Sequence, residues 1–284
     1  GLAGRAQTGD ALRFLRVQIL QGYFECAAAL NITRGGVTIE GFSPGGRDPT
    51  PISGTALRFG STNGIVINGS ATPGSISNIT LNHIGITGGL IGLLMQGGVV
   101  DSYIQRIKFE DQSTSGIKCT TVGGTANPAW IYVYGCNTTG GSVAAVDCDV
   151  VGESYFTNHG FYSSSGPGLR INTADTIVTG SHFEFTNGAH VISQIGGQLT
   201  LDGNFIGIHT AATLNTFDLI NISGGSYTAI TGNRMHGSSR ARYGINVTST
   251  GVFVSIGNNV YDGLVSGNTR TVSRNTKELV IAEG

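Results

Sequence analysis

Charge is scarce in this 284-residue chain: Asp, Glu, Lys and Arg make up 12% of it, and 16 basic against 17 acidic residues leave a net charge of −1. Nucleic acids and anionic membrane surfaces are bound through dense, one-sided basic patches. The Lys and Arg residues are scattered, so neither a nucleic-acid partner nor a membrane surface is expected. Proline is rare, with 6 residues, and no Pro- or Ser-rich linker interrupts the chain. The four cysteines, Cys26, Cys119, Cys136 and Cys148, fit neither a disulfide framework nor a CxxC zinc site. Each falls where an inward apolar residue belongs and reads as a small buried hydrophobe. No run approaches the roughly eighteen apolar residues of a membrane-spanning helix, and the opening GLAGRAQTGD lacks the apolar segment of a signal peptide. The histidines His83, His159, His182, His190, His209 and His236 form no HxH or HxxxH pair, so no metal and no cofactor are expected.

Glycine is abundant, with 46 residues, and Asn, Ser and Thr are frequent. That composition suits short strands joined by tight turns that need positive φ, and argues against long helices. Six Asn-x-Ser/Thr sequons, at Asn31, Asn68, Asn78, Asn137, Asn221 and Asn246, are what such a chain carries by chance.

A motif of alternating apolar strand, Gly/Asn turn and apolar step returns along most of the chain. It reads Ile79-Thr-Leu81-Asn-His-Ile84, Ile131-Tyr-Val133-Tyr-Gly-Cys136, Val178-Thr-Gly-Ser-His-Phe183, Leu201-Asp-Gly-Asn-Phe205, Ile230-Thr-Gly-Asn-Arg-Met235 and Val254-Ser-Ile256-Gly-Asn-Asn-Val260. A period of this length marks a solenoid, whose repeats bury their apolar faces only against their neighbours. Sequence columns then become spatial columns.

One predicted sheet collects the inward pairs Ile79/Leu81, Ser102/Ile104, Ile131/Val133, Ser154/Phe156, Thr176/Val178, Leu199/Leu201, Thr228/Ile230 and Val254/Ile256, 22 to 29 residues apart. Turns absorb such variation and strands do not. A second sheet collects Ile84/Ile86, Ile107/Phe109, Phe183/Phe185 and Ile206/Ile208. A third collects Leu57/Phe59, Leu93/Met95, Ile117/Cys119, Val146/Cys148, Leu169/Ile171 and Ile245/Val247. Three short strands per coil, all running one way, describe an all-β, right-handed parallel β-helix of nine to ten coils. Residues 1–284 are expected to form one such domain: 1–75 its first coils, 76–262 the regular coils, 263–284 a terminal coil.

The stretches Val17-Gln-Ile-Leu-Gln-Gly-Tyr23, Leu30-Asn-Ile-Thr33, Gly36-Val-Thr-Ile-Glu-Gly41 and Gly54-Thr-Ala-Leu-Arg-Phe59, with Thr179-Gly-Ser-His-Phe-Glu184 and Gly-Asn corners at Asn204, Asn233 and Asn258, resemble pectate-lyase-like β-helix proteins, especially bacteriophage tailspikes. The resemblance covers nearly the whole chain. It implies a homotrimer on the virion tail or in the extracellular space that binds, and often cleaves, a bacterial surface polysaccharide. Family members usually open with an amphipathic capping helix, whereas only Gly9-Asp-Ala-Leu-Arg-Phe14 precedes the first strand here. An open end leaves unpaired backbone groups, so another virion protein is expected there. The Asp ladder and Arg of pectate lyases and the Asp cluster with Gly-His-Gly of polygalacturonases are absent.

Two outward columns flank the first sheet's inward residues. One runs Thr80, Tyr103, Tyr132, Tyr155, Ile177, Thr200, Ala229, Ser255; the other runs Asn78, Asp101, Trp130, Glu153, Asp175, Gln198, Tyr227, Phe253. Aromatic rings suit the apolar face of a sugar and carboxylates bond its hydroxyls. Tyr103, Trp130, Tyr132 and Tyr155 are therefore the expected substrate-binding residues, and Asp101, Glu153 and Asp175 the expected catalytic ones. Glu153 and Asp175, one coil apart, suit the roughly 5–5.5 Å separation of retaining glycosidases, while Asp101 and Glu153, two coils apart, fall near or beyond the 6.5–9.5 Å range of inverting ones. The same aromatic ladder also fits a subunit interface or a sheet-stabilising stack.

Elsewhere, Arg58, Leu94, Lys118, Asp147, Arg170 and Asn246 are expected outward on the third sheet, with Lys118, Asp147 and Arg170 as a surface ion-pair ladder. A lyase variant would use Asp147 or Asp149 beside Lys118 or Arg170. On the second sheet Gly85, Lys108, Asn137, Glu184, Gly207 and His236 are expected outward, with His182 in the corner. The leading expectation is a tailspike-type polysaccharide-binding or depolymerising β-helix, hydrolase before lyase. Its alternatives are a non-enzymatic structural or adhesive β-helix and a free-standing polysaccharide lyase or hydrolase.

Overall fold

A strand with alternating apolar residues can bury only one face, and short strands separated by tight turns can do so by stacking in register on the coil before. The protein takes that solution. Its computed structural model describes residues 14–44, 54–124, 126–163, 165–184, 186–271 and 280–282. They form an all-β parallel solenoid of about ten turns, and no described residue is helical. Residues 9–13 of the segment before the first strand, and Phe185 of the second predicted sheet, lie outside the described residues.

Among the described residues every strand pair is parallel and joins one coil to the next. On the first face the register runs Ile79↔Ser102↔Ile131↔Ser154↔Thr176↔Leu199↔Thr228↔Val254, as the column pattern requires. The second face is a separate ten-stranded sheet. The first and third faces are joined into one nineteen-stranded sheet, because strands Val146–Thr157 and Leu169–Thr179 run unbroken through the corner between them. Inward Ile, Leu, Val, Phe and Met side chains from Ile32 to Ile256 form one contiguous core. Each such side chain stabilises the fold by about 1.5–3 kcal/mol on burial.

The first-to-second corner has a two-residue rule. Its first position takes positive φ in coil after coil: His83, Arg106, Gly135, Asn158, Gly180, Gly203, Gly232 and Asn258 lie between 50° and 64°. Gly and Asn tolerate that region best, which explains the recurrent Gly/Asn signature. The second position points inward and carries a ladder. The Ser181 N–H donates to Asn204 Oδ1 at 2.8 Å, the Asn204 N–H to Asn233 Oδ1 at 2.9 Å, and the Asn233 N–H to Asn259 Oδ1 at 2.9 Å. Asn259 continues the ladder of Asn204 and Asn233, and Asn258 before it is the corner residue that turns the chain. These amides satisfy corner backbone groups that have no strand partner.

Several column assignments are corrected. Leu57, Arg58 and Phe59 pair with Ile86, Thr87 and Gly88 and belong to the second face; Ile65 and Ile67, paired with Leu93 and Met95, hold the third-face position in that coil. The insertions in the early coils hid the register. His182 lies within a second-face strand beside Glu184, its Nε2 3.0 Å from the carboxylate, because Gly180 and Ser181 already make the corner. Glu184 stands in line with Tyr162, and Gly207 with His236 and Asp262, whereas Lys108 and Asn137 share the row of His182 and Phe205. Cys119, Cys136 and Cys148 are buried and free, while Cys26 is only half-buried in the first coils. Burial pushes the thiols of Cys136 and Cys148 up to about 12.

The Lys118–Asp147–Arg170 ladder exists, but it is not an exposed network. The Asp147 side chain is fully buried, gripped by Arg170 through two hydrogen bonds of 2.8 and 2.9 Å with Lys118 at 3.5 Å. A second buried carboxylate, Asp218, is held the same way by Arg242 at 2.9 and 2.8 Å and by the Asn246 amide at 2.8 Å.

Candidate functional site

Tyr103, Tyr132 and Tyr155 stand in line on the outer wall of the first face. Parallel register sets successive tyrosines side by side, and their rings stack at 5.0 Å between centroids, tilted by 11° and 8°. Stacking uses up both faces of Tyr132 and one face of each end ring. The other face of Tyr155 looks along the solenoid toward Ile177 on the next coil.

There the column steps down in volume, from Tyr155 to Ile177, Thr200 and Ala229. In the adjoining column Glu153, Asp175, Gln198 and Tyr227 are register partners in that order. Tyr227 stacks on Phe253 at 5.8 Å, which leaves its other face toward Gln198. Small side chains between two aromatic stacks leave a cavity of about 230 Å³, lined by Glu153, Ser154, Tyr155, Asp175, Thr176, Ile177, Gln198, Leu199, Thr200 and Tyr227. Its two tyrosines, Tyr155 and Tyr227, stand in adjoining columns three coils apart, an offset of about 14 Å along the solenoid axis at the strand spacing of a parallel sheet.

The backbone changes character at the start of this site. Asn78, Asp101 and Trp130 have φ of 56°, 51° and 53°, and the pairing passes over them. In the following coil a bulge at Gly152 shifts the register, after which Glu153 and Asp175 are extended and paired. Bulges re-aim side chains in this way. The consequence divides the residues expected from sequence. Glu153, Asp175 and Tyr155 line the cavity; Asp101, Tyr103, Trp130 and Tyr132 do not. Asp101 and Trp130 sit on left-handed backbone in earlier coils, and Tyr103 and Tyr132 are stacked behind Tyr155. Gln198, Thr200 and Tyr227 were visible in the columns but carried no flag as site residues. The signal was the drop from three tyrosines to Ile, Thr and Ala, which reads as a gap only once the coils are stacked.

Glu153 and Asp175 are adjacent across one strand spacing of about 4.8 Å at Cα. Partial burial and then the negative charge of Glu153 raise the Asp175 carboxyl above the usual Asp range, against the opposing hydrogen bond from the Gln198 backbone N–H. The Tyr155 hydroxyl donates to Glu153 Oε2 at 3.2 Å. Desolvation, followed by that bond and the charge behind it, raises the Tyr155 phenol. A raised carboxyl beside a second carboxylate can serve as an acid while its neighbour serves as a nucleophile. Among the described residues no group of three or more His, Cys, Asp or Glu side chains is placed to hold a metal ion.

No protein-family model matches the chain, and no curated protein matches it. Among solved structures it is similar to two A-modules from Azotobacter vinelandii. They are those of mannuronan C-5 epimerase AlgE6 (TM-score 0.46, 13% identity, 93% of this chain and 89% of that one) and AlgE4 (TM-score 0.49, 14% identity, 95% and 91%).

Proposed function

We propose that the protein binds a polysaccharide across its first face and hydrolyses it in the cavity between Tyr155 and Tyr227. The observation that carries this reading is the register pairing of Glu153 with Asp175 in a cavity that Tyr155 and Tyr227 also line. Sugar rings pack their apolar faces on Tyr155 and Tyr227, and Gln198 and Thr200 bond hydroxyl groups. Asp175, the carboxyl held protonated to higher pH, gives its proton to the glycosidic oxygen as the leaving group departs. Glu153 attacks the anomeric carbon with retention, as the short separation favours. Water then cleaves the glycosyl ester, and Asp175 takes up the proton that water gives away. Tyr155 positions the Glu153 carboxylate through its hydroxyl.

The sequence resemblance to tailspikes supports the remainder of the proposal: a homotrimer on the virion tail, attached through its N-terminal end to another virion protein and acting on bacterial surface polysaccharide. Reducing-end release from a panel of bacterial surface polysaccharides tests the chemistry. Turnover by the wild-type protein that is lost in Glu153→Gln and Asp175→Asn supports it, and turnover that survives both overturns it. Retention of glycan without turnover would favour the adhesive alternative. A solution mass other than three times the 29.3 kDa chain counts against the tailspike reading.

A further inference from the structure

The three faces do not share charge evenly. The first-face segments, residues 76–82, 99–105, 129–134, 153–157, 175–179, 198–202, 227–231 and 253–257, carry Asp101, Glu153, Asp175 and Asp202 but neither Lys nor Arg. Cations of the same coils stand on the other two faces: Lys108 and Arg234 on the second, Lys118 and Arg170 on the third. They are also occupied. Lys108 pairs with Glu110 at 2.6 Å, Lys118 and Arg170 with Asp147, and Arg234 with Asp262 at 3.7 Å and over the Phe205 ring at 5.9 Å. Arg106, in the corner beside the first face, bonds His83 at 3.1 Å, two coils before the cavity begins. The cavity wall is therefore two carboxyl groups, Tyr, Gln, Thr, Ser, Ile and Leu, with no basic side chain.

From this segregation we infer that the glycan taken by the first face is an uncharged polymer of neutral or N-acetylated sugars, and that polyuronates and sulfated glycans are excluded. The inference rests on the proposed glycan site and narrows it. A sugar carboxylate entering between Glu153 and Asp175 meets like charge and no compensating cation, and like charges a few ångströms apart repel. A neutral polymer loses nothing there, because carboxylates and amides bond its hydroxyls directly. The net charge of −1 gives no hint of this; the exclusion comes from the placement of cations on the wrong faces.

Affinity electrophoresis on matched polymers tests it: hydroxyethyl cellulose against carboxymethyl cellulose, and dextran against carboxymethyl dextran. The neutral member of a pair is expected to retard the wild-type protein at a concentration at least about tenfold lower than its carboxylated partner, the worth of about 1.4 kcal/mol. Glu153→Gln/Asp175→Asn should narrow that gap, and Thr200→Lys, which adds a cation to the wall, should draw in the carboxylated polymer. An unchanged melting temperature shows that each variant is folded. Stronger retardation by the carboxylated polymers, unmoved by Thr200→Lys and by the double variant, overturns the charge inference and leaves the glycan site standing. Retardation by neither member of either pair, for the wild type and every variant, overturns both.

Discussion

Asp175 is the in-register partner of Glu153 on the next coil, and the two share a cavity that Tyr155 and Tyr227 also line. Burial and the charge of Glu153 raise the Asp175 carboxyl, and the proposed mechanism accordingly gives Asp175 the role of acid and Glu153 that of nucleophile.

The pair has a stability cost as well as a proposed use. The folded-state Asp175 pKa lies above its unfolded value, so its contribution is most favourable below about pH 3.9 and is lost as pH rises through the folded value. Asp175→Asn is therefore expected to raise the melting temperature slightly at pH 7 and to leave it unchanged at pH 3, while abolishing turnover. Differential scanning calorimetry at the two pH values checks this, and a lowered melting temperature at pH 7 contradicts it.

His159 sets a second pH dependence, of opposite sign. It is buried among Phe156 and Phe161, its Nε2 is 2.9 Å from Thr138 Oγ1 and its Nδ1 has no partner among the described residues. Burial lowers its pKa to about 3. The unfolded chain takes up a proton near pH 6.5 and the fold does not, so stability falls as pH drops from 6.5 toward 3, by on the order of 3 kcal/mol at pH 4. His159→Leu should flatten the acid limb of a plot of melting temperature against pH. A limb of unchanged slope would place the acid sensitivity elsewhere.

Asn233 is the central rung of the corner ladder. Its Oδ1 accepts from Asn204 N–H and Nδ2, and its Nδ2 donates to Leu201 O, Thr231 O and Asn259 Oδ1. Asn233→Ala strands several buried groups at once and is expected to cost about 2–4 kcal/mol. Limited proteolysis should then cut near the second-face corners of the adjoining coils. A variant as stable as the wild type would mean that water replaces the amide.

Arg170→Met should cost about 3 kcal/mol, because it leaves the buried Asp147 carboxylate with Lys118 alone. Arg58→Met removes a chemically similar pair with Glu25 that is exposed on both sides, and its thermal midpoint should not move. Equal effects of the two substitutions would contradict the buried character of Asp147.

Tyr132 stacks between Tyr103 and Tyr155 but does not line the cavity. Tyr132→Ala should lower stability by about 1–2 kcal/mol with little change in glycan affinity, whereas Tyr227→Ala should weaken affinity more than stability. Thermal denaturation and affinity electrophoresis run side by side separate the two.

The amino-acid sequence alone determined the register of the first face, because inward pairs such as Ile131/Val133 and Leu199/Leu201 alternate with period two and a slip by one residue would expose them all. It also determined the tyrosine line, since neighbours in a parallel coil are fixed once the register is. Tertiary structure decided the rest. The early coils hold insertions that no local pattern resolves, so Leu57 and Phe59 found their sheet only through pairing with Ile86 and Gly88. Left-handed backbone at Asp101 and Trp130 and the bulge at Gly152 depend on how coils of unequal length meet at a corner. The cavity itself is a difference in side-chain volume between coils, and the burial of Asp147 is a matter of what Arg170 covers. Both are relations among residues distant in the chain, and they exist only when the coils are stacked.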